Sequence, residues 1–490
     1  MTALADLLAF NRETAALGQV MGRLGWDQET MMPRGAAEQR GEEMGALESV
    51  LHARRTDPRV GEWLAAAAPE TEADKAQIRE ITRSYERASK VPADLAAEIA
   101  RVTSVAQGIW AQARADEDIA AFLPTLDHVV KLRRVEAEAI AGDGDLYDTL
   151  LQDYEPGTTG AEIAALFDRM RPRLRDLRAR VLDSGKTAPA LQGPFDKAAQ
   201  LALGEEIAKA FGYDLNHGRI DLAVHPFSSG SGADVRITTR VDEAEPLGCL
   251  YSTIHEVGHA CYEQNIDAGY RLSALGQGVS MGVHESQSRI YENQLGRSPA
   301  FTAWLYGAMK DRFGAMGVDG PEAFTRAVNA VHSGYIRTEA DEVHYNLHIM
   351  LRFDLERALM GGDLTVADME AAWNDRFAAD FGVTVDKPSN GMLQDVHWSV
   401  GLFGYFPTYS LGNVYAGCLH EVLRADIPDL DDHLAKGDPS PATTWLRANL
   451  QQHGGLRTPR ETIIHATGRD ISEAPLLDYL DAKFAALYGL

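Results

Sequence analysis

The 490-residue chain carries 47 Lys and Arg against 72 Asp and Glu, a formal net charge of −25, with 45% hydrophobic and 24% charged residues. Such a composition belongs to a globular chain with a large core and excludes a disordered or collagen-like polymer. The negative balance also argues against nucleic acid as a partner, because affinity for phosphate backbones is carried by clustered Lys and Arg.

The first twenty residues interrupt their apolar stretch with Asp6, Asn11, Arg12 and Glu13, unlike a secretory signal. No apolar run reaches the roughly 18 residues of a membrane span, so no membrane partner is expected and the expected setting is the cytoplasm. From residue 1 to about 195 the pattern is helical: in Glu162–Leu182, for instance, Ile163, Leu166, Phe167, Met170, Leu174 and Leu177 recur at spacings of three and four. Turn clusters at Met32–Gly35, Gly142–Asp145 and Glu155–Thr159 read as helix connectors. Between about 217 and 241 two short β-prone runs flank the stretch Ser228–Gly232, which predicts a small hairpin or sheet, a hairpin being the simplest form. Helical periodicity resumes at Glu245-Pro246, where proline suits a first turn and glutamate suits the positive end of the helix dipole. The chain therefore reads as one mainly α unit over 1–490, with a helical N-terminal part over about 1–195 and a second part, bearing the site, over about 196–490. Cys249, Cys261 and Cys418 are too scattered for a disulfide framework and are expected in the core.

The sharpest signal is His255-Glu256-Val257-Gly258-His259. On a helix, histidines four apart stand one turn above each other and can converge on one cation, while Glu256 reaches a water beside it. Leu247, Leu250, Ile254, Val257 and Cys261 form an apolar stripe that would bury the opposite side. A catalytic site of this kind wants a third protein ligand. The position six residues beyond the second histidine is Asn265, and Glu263 is too far along the helix from His255 to share its ion. Glu285 and Glu292 follow a glycine-rich turn (Gly276, Gly278, Gly282) that would fold a second helix back on the first, and Glu285, beside the turn, is preferred. Two imidazoles and a carboxylate accept zinc, and also cobalt or manganese, one ion per chain. With Glu256 as general base, this predicts metal-assisted peptide hydrolysis.

Further motifs resemble the carboxypeptidase Taq family of zinc metallocarboxypeptidases. His225-Pro226-Phe227, Asp234-Val235-Arg236-Ile237-Thr238, His284-Glu285-Ser286-Gln287, Ile336-Arg337-Thr338-Glu339-Ala340-Asp341 and the stretch Gly391–Trp398 match its H-P-F, D-x-R-x-T, H-E-S-Q, I-R-x-x-A-D and G-x-x-Q-D-x-H-W elements. Trp26–Thr30 with Met32-Pro33 is similar to its N-terminal stretch. The resemblance implies a helical metallopeptidase fold with a deep groove and metal ligands His255, His259 and Glu285. It also implies Glu256 as base and acid, removal of C-terminal residues from peptides, and a homodimer.

Given that reading, Arg337 is the expected partner of the substrate's α-carboxylate, with Arg236 and Arg457 as weaker candidates. The less favoured alternative is that Arg337 forms a structural ion pair with Glu339 or Asp341. His397 is expected to contact substrate or intermediate, His225 to line the groove, and Tyr409, or Tyr405, to donate a hydroxyl. Asp341 is a candidate to orient a metal-binding imidazole. His344 and His348, a second pair at helical spacing but without the adjacent glutamate, are assigned to structure. Rival readings are an oligopeptidase that cuts internally or releases dipeptides, and a non-catalytic binding protein.

Overall fold

The computed structural model describes residues 2–490. Among the described residues nine α-helices come first: α1 (Ala3–Thr30), α2 (Ala37–Arg55), α3 (Pro58–Ala66), α4 (Glu72–Lys90), α5 (Ala93–Asp116), α6 (Ile119–Ala141), α7 (Leu146–Leu151), α8 (Gly160–Asp183) and α9 (Lys197–Ala210). The expected connectors do terminate helices. Thr159, for example, caps α8 by accepting from the backbone of Glu162, whose carboxylate bonds back to the Thr159 N–H at 2.9 Å. The predicted apolar stripe of α8 is its buried face.

The β region differs from a simple hairpin. Strands β1 (Ile220–Leu222), β2 (Ser228–Ser231) and β3 (Asp234–Thr239) form a sheet in the order β1-β3-β2, with β1 parallel and β2 antiparallel to β3. The serine-glycine stretch expected as a connector is itself strand β2, because Gly230 and Gly232 take positive φ and turn the chain within two residues of β3. The first β-prone run contributes only β1, which pairs on the far side of β3.

The remaining helices are α10 (Pro246–Asn265), α11 (Met281–Arg289), α12 (Pro299–Phe313), α13 (Pro321–Val328), α14 (Tyr345–Gly361), α15 (Met369–Phe381), α16 (Pro407–Asp426), α17 (Leu430–Leu434), α18 (Ser440–Asn449), α19 (Pro459–Thr467) and α20 (Ala474–Tyr488). After α11 the chain continues in wider π-type turns over Ile290–Gly296. One continuous apolar core joins α5–α20 and includes Cys261 and Cys418. A small separate cluster of Leu7, Val60 and Ile81 ties α1, α3 and α4 together. Helix α1 reaches the sheet through Gln19 to Ser231 at 2.8 Å and Arg23 to Asp234 at 2.8 Å. Among the described residues no helix is long and apolar enough to cross a membrane.

Candidate active site

Helix α10 begins where the sequence predicts: Pro246 opens it, and the Glu245 carboxylate accepts from the backbone N–H groups of Leu247 and Gly248. Its apolar side is wider than the predicted stripe, with Tyr251, Thr253, Ala260 and Tyr262 also buried. His255 and His259 face α11. The two helices cross at Gly258, where a Cβ would lie 2.5 Å from the Gln287 carbonyl oxygen and 2.6 Å from the Ser288 Cα. Only glycine permits this approach, and it brings Glu285 over the histidines.

Glu285 Oε2 stands 3.3 Å from His259 Nε2 and 3.7 Å from His255 Nε2. The ligand atoms of the three residues lie within 4.8 Å of one another, and no other such group of three occurs among the described residues. The far nitrogens are held from behind: His255 Nδ1 is 2.9 Å from Glu292 Oε2, and His259 Nδ1 is 2.7 Å from His284 Nδ1. Arg289 donates to Glu285 Oε1 at 2.6 Å and Ser288 to Oε2 at 3.0 Å. Ring nitrogens fixed from outside, with the opposite nitrogens converging on a carboxylate oxygen, are the arrangement by which histidines present a neutral lone pair to a cation. The donor set fits a divalent ion.

The matching family model, described as carboxypeptidase Taq (M32) metallopeptidase, spans residues 6–484. The chain belongs to the carboxypeptidase Taq (M32) family. It is 41% identical over 502 aligned positions to thermostable carboxypeptidase 1 of Thermus thermophilus, covering 99% of this chain and 98% of that protein. It is 34% identical to carboxypeptidase 1 of Bacillus subtilis, covering 95% and 94%. The crystal structure of an M32 carboxypeptidase from Deinococcus radiodurans superposes with a TM-score of 0.94 at 36% identity over the whole of both chains. Metallocarboxypeptidase 1 of Trypanosoma cruzi gives 0.96 at 32% identity, covering 98% and 99%. This M32 chain is thus a metal-dependent carboxypeptidase with the expected mainly helical fold.

The structure of this M32 site also places three further acids. Glu292, weighed as an alternative ligand, sits behind His255, where Arg297 also holds it at 3.0 Å. Asp341 orients no imidazole of the cluster; it bonds His344 Nδ1 at 2.9 Å and the His332 N–H at 3.0 Å. Glu263, dismissed as a ligand, bonds His284 Nε2 at 3.1 Å and so closes a relay from His259 through His284. The adjacency of His284 to Glu285 was the available signal for that relay.

Burial lowers His259 to about 4, with its imidazole neighbours adding to the effect. At His255 burial is outweighed by Glu285 and Glu292, and the pKa is raised. Burial likewise opposes ionisation of Glu285, but Arg289 and the two imidazoles prevail and hold it well below the usual carboxylate range. Burial pushes Glu256 up to about 7; no side chain among the described residues hydrogen-bonds to it.

Arg337, His397 and Tyr409 come together. Arg337 is buried, and its ion-pair partner is neither Glu339 nor Asp341 but Asp395, which accepts from Nε at 3.0 Å and Nη2 at 2.8 Å. Arg352 holds the other Asp395 oxygen at 2.7 Å. Arg337 Nη1 donates to the Tyr345 hydroxyl at 3.3 Å, and its guanidinium lies 5.1 Å from the Tyr409 ring centre. His397 Nε2 is 3.2 Å from the Tyr409 hydroxyl, and the His397 ring packs at a tilt against Phe406. Burial lowers His397 to about 3 and raises Tyr409 well above a free phenol, so both stay neutral at pH 7. Tyr405 packs edge-on against Tyr409. His225, by contrast, is exposed on the loop between β1 and β2, and Arg236 is engaged by Asp234 and lies over Trp26. Arg457 makes no hydrogen bond to this group. His344 and His348 pack on Phe381.

Proposed function

We propose that His255 Nε2, His259 Nε2 and Glu285 Oε2 hold one divalent ion per chain, zinc first, with cobalt or manganese suited to the same donors, and that the site trims peptides residue by residue from the C-terminal end. The observation that carries this reading is the pair of Nε2 atoms facing one Glu285 oxygen while Glu292 and His284 hold the opposite nitrogens. A bound divalent ion supplies Lewis acidity toward a carbonyl and acidifies water.

The protein groups do the rest. Glu256, free of other side chains, takes the proton from the attacking water and returns it to the leaving amine. The neutral Tyr409 hydroxyl, steadied by His397, donates to the oxygen that becomes negative as the carbonyl is attacked. Three of the five N–H groups of Arg337 are committed to Asp395 and Tyr345, which leaves two for the terminal carboxylate of the substrate. Asp395 fixes the guanidinium so that little ordering remains to be done on binding. The homodimer is proposed on the family resemblance, and the cytoplasmic setting on the N-terminal sequence.

Incubation with a defined peptide, with and without chelator, read by mass spectrometry, tests the reading. A chelator-sensitive ladder shortening from the C-terminal end is expected; internal fragments would overturn it in favour of an oligopeptidase.

A further inference from the structure

The bonding behind His255 does not end at Glu292. That residue leaves the chain from the wide turns over Ile290–Gly296, and π-type turns are rare, occurring mostly as short insertions at functional sites. The last carbonyls of any helix lack intrahelical donors and need others. Here the Arg297 and Ser298 N–H groups, the ones that an α- or π-turn would aim at the Asn293 carbonyl, both go to the Leu295 carbonyl instead. Two tyrosine hydroxyls fill the gaps from opposite sides. Tyr251 of α10, one turn before His255, donates to the Gly296 carbonyl at 2.9 Å, and Tyr479 of α20 reaches the Asn293 carbonyl at 3.1 Å. Building on the metal reading above, we infer that Tyr479 is a positioning residue for the metal site: from the C-terminal helix it holds the wide turn so that Glu292 meets the outer nitrogen of His255.

The surroundings of the hydroxyl support this. Tyr479 Oη is also 3.1 Å from Glu342 Oε2. Lys483, one turn further along α20, donates to Tyr479 Oη at 3.0 Å and forms an ion pair with Glu342 Oε1; the lysine and glutamate side chains are 7% and 10% exposed. A phenol has one proton to give. Glu342 already has the ammonium, whereas the buried Asn293 carbonyl has no helical donor, so the proton belongs to the carbonyl. Donation by the ammonium polarises the hydroxyl and strengthens the bond it makes.

Arg297 also holds Glu292 at 3.0 Å, but Arg297 is itself carried at the end of the same turn. Tyr479 reaches the turn from an element anchored elsewhere, since α20 buries Leu476, Leu477, Leu480 and Phe484 in the main core. The same helix grips the chain on both sides of Arg337: Lys483 pairs with Glu342, five residues after it, and the Tyr488 hydroxyl accepts from the Val331 N–H at 2.9 Å. Helix α20 thus ties the arginine proposed for the substrate carboxylate to the turn that orients a proposed metal ligand.

The test measures zinc affinity by competition with a chromophoric chelator, together with the visible spectrum of the cobalt-substituted protein. It compares the wild type, Tyr479→Phe, Tyr488→Phe, Glu292→Met and the double variant Tyr479→Phe/Glu292→Met, each shown to be folded by circular dichroism. Phenylalanine keeps the ring and removes only the hydroxyl, and Tyr488→Phe is the control that loosens α20 without touching the turn. Tyr479→Phe should bind zinc about tenfold more weakly, the lower end of what supports behind metal ligands supply, and should shift the cobalt bands. Tyr488→Phe should stay within about twofold of the wild type with its bands in place. With Glu292 already replaced, Tyr479→Phe should change affinity by less than about twofold, because the group it positions is gone. Wild-type affinity in Tyr479→Phe, an equal loss in Tyr488→Phe, or the same loss with and without Glu292 overturns the role of Tyr479. Should the Glu292 variants fail to fold, the two phenylalanine variants decide between these outcomes. A wild type that binds no zinc overturns the metal reading with it.

Discussion

Replacing Gly258 by alanine tests how the site is assembled. A Cβ there would sit 2.5 Å from the Gln287 carbonyl oxygen and 2.6 Å from the Ser288 Cα. Both are backbone atoms of α11, so no side-chain rotation relieves the clash. Ordinary carbon contacts need about 3.5–4.0 Å, so α11 must withdraw from α10 by on the order of 1 Å. Metal–ligand bonds tolerate about 0.2 Å, and Glu285 rides on α11. The overpacking should cost about 1–3 kcal/mol, partly offset by the roughly 1 kcal/mol that alanine gains over glycine in a helix. The melting temperature of the metal-free protein should therefore fall little. Affinity for zinc, measured by competition with a chromophoric chelator, should fall at least tenfold. A variant that binds zinc as tightly as the wild type would refute the claim that this crossing sets the position of Glu285.

Other substitutions separate the proposed roles. Glu256→Gln should keep metal affinity and lower kcat by about 10²–10⁴, read by single-turnover kinetics on metal-quantified protein; near-normal rates would remove Glu256 from proton transfer. Arg337→Ala should depress kcat/KM on free-carboxylate peptides far more than on their C-terminal amides, and equal losses on both would refute carboxylate recognition. Glu356 is fully buried, accepts from Trp398, Gly404 and Tyr147, and burial pushes it from 4.5 up to about 7. Because the folded pKa is the higher, its stabilising contribution of about 3 kcal/mol is complete below the unfolded value and disappears as pH rises through the folded one. Glu356→Gln should therefore fare better against the wild type at pH 8 than at pH 5 in calorimetry, and a difference in melting temperature that ignores pH would contradict this.

What the sequence makes legible here is what lies within one helix or one turn. The two histidines and Glu256 follow from helical spacing, and Glu285 from the glycine turn that returns the chain. The supports of the site come from further away or from contexts that spacing leaves ambiguous. Glu292 shares a helical face with Glu285, and only the three-dimensional path shows its carboxylate on the outer nitrogen of His255. Asp395 and Arg337 meet across 58 positions of chain, so the nearer acids, Glu339 and Asp341, were the natural but mistaken partners. The β region misled for a local reason: serine and glycine read as a connector, whereas pairing against β3 makes them a strand. Helix propensity and burial patterns, by contrast, survive folding because each helix buries the stripe it already carries.

The central claim is that one ion is gripped by His255, His259 and the carboxylate of Glu285. Equilibrium dialysis of zinc against the wild type and Glu285→Ala measures it directly. The account predicts one ion bound per wild-type chain and an affinity reduced by several orders of magnitude in the variant, with both metal-free proteins folded by circular dichroism and the variant melting lower because Arg289 loses a buried carboxylate partner. Retention of one ion at wild-type affinity by Glu285→Ala would contradict it.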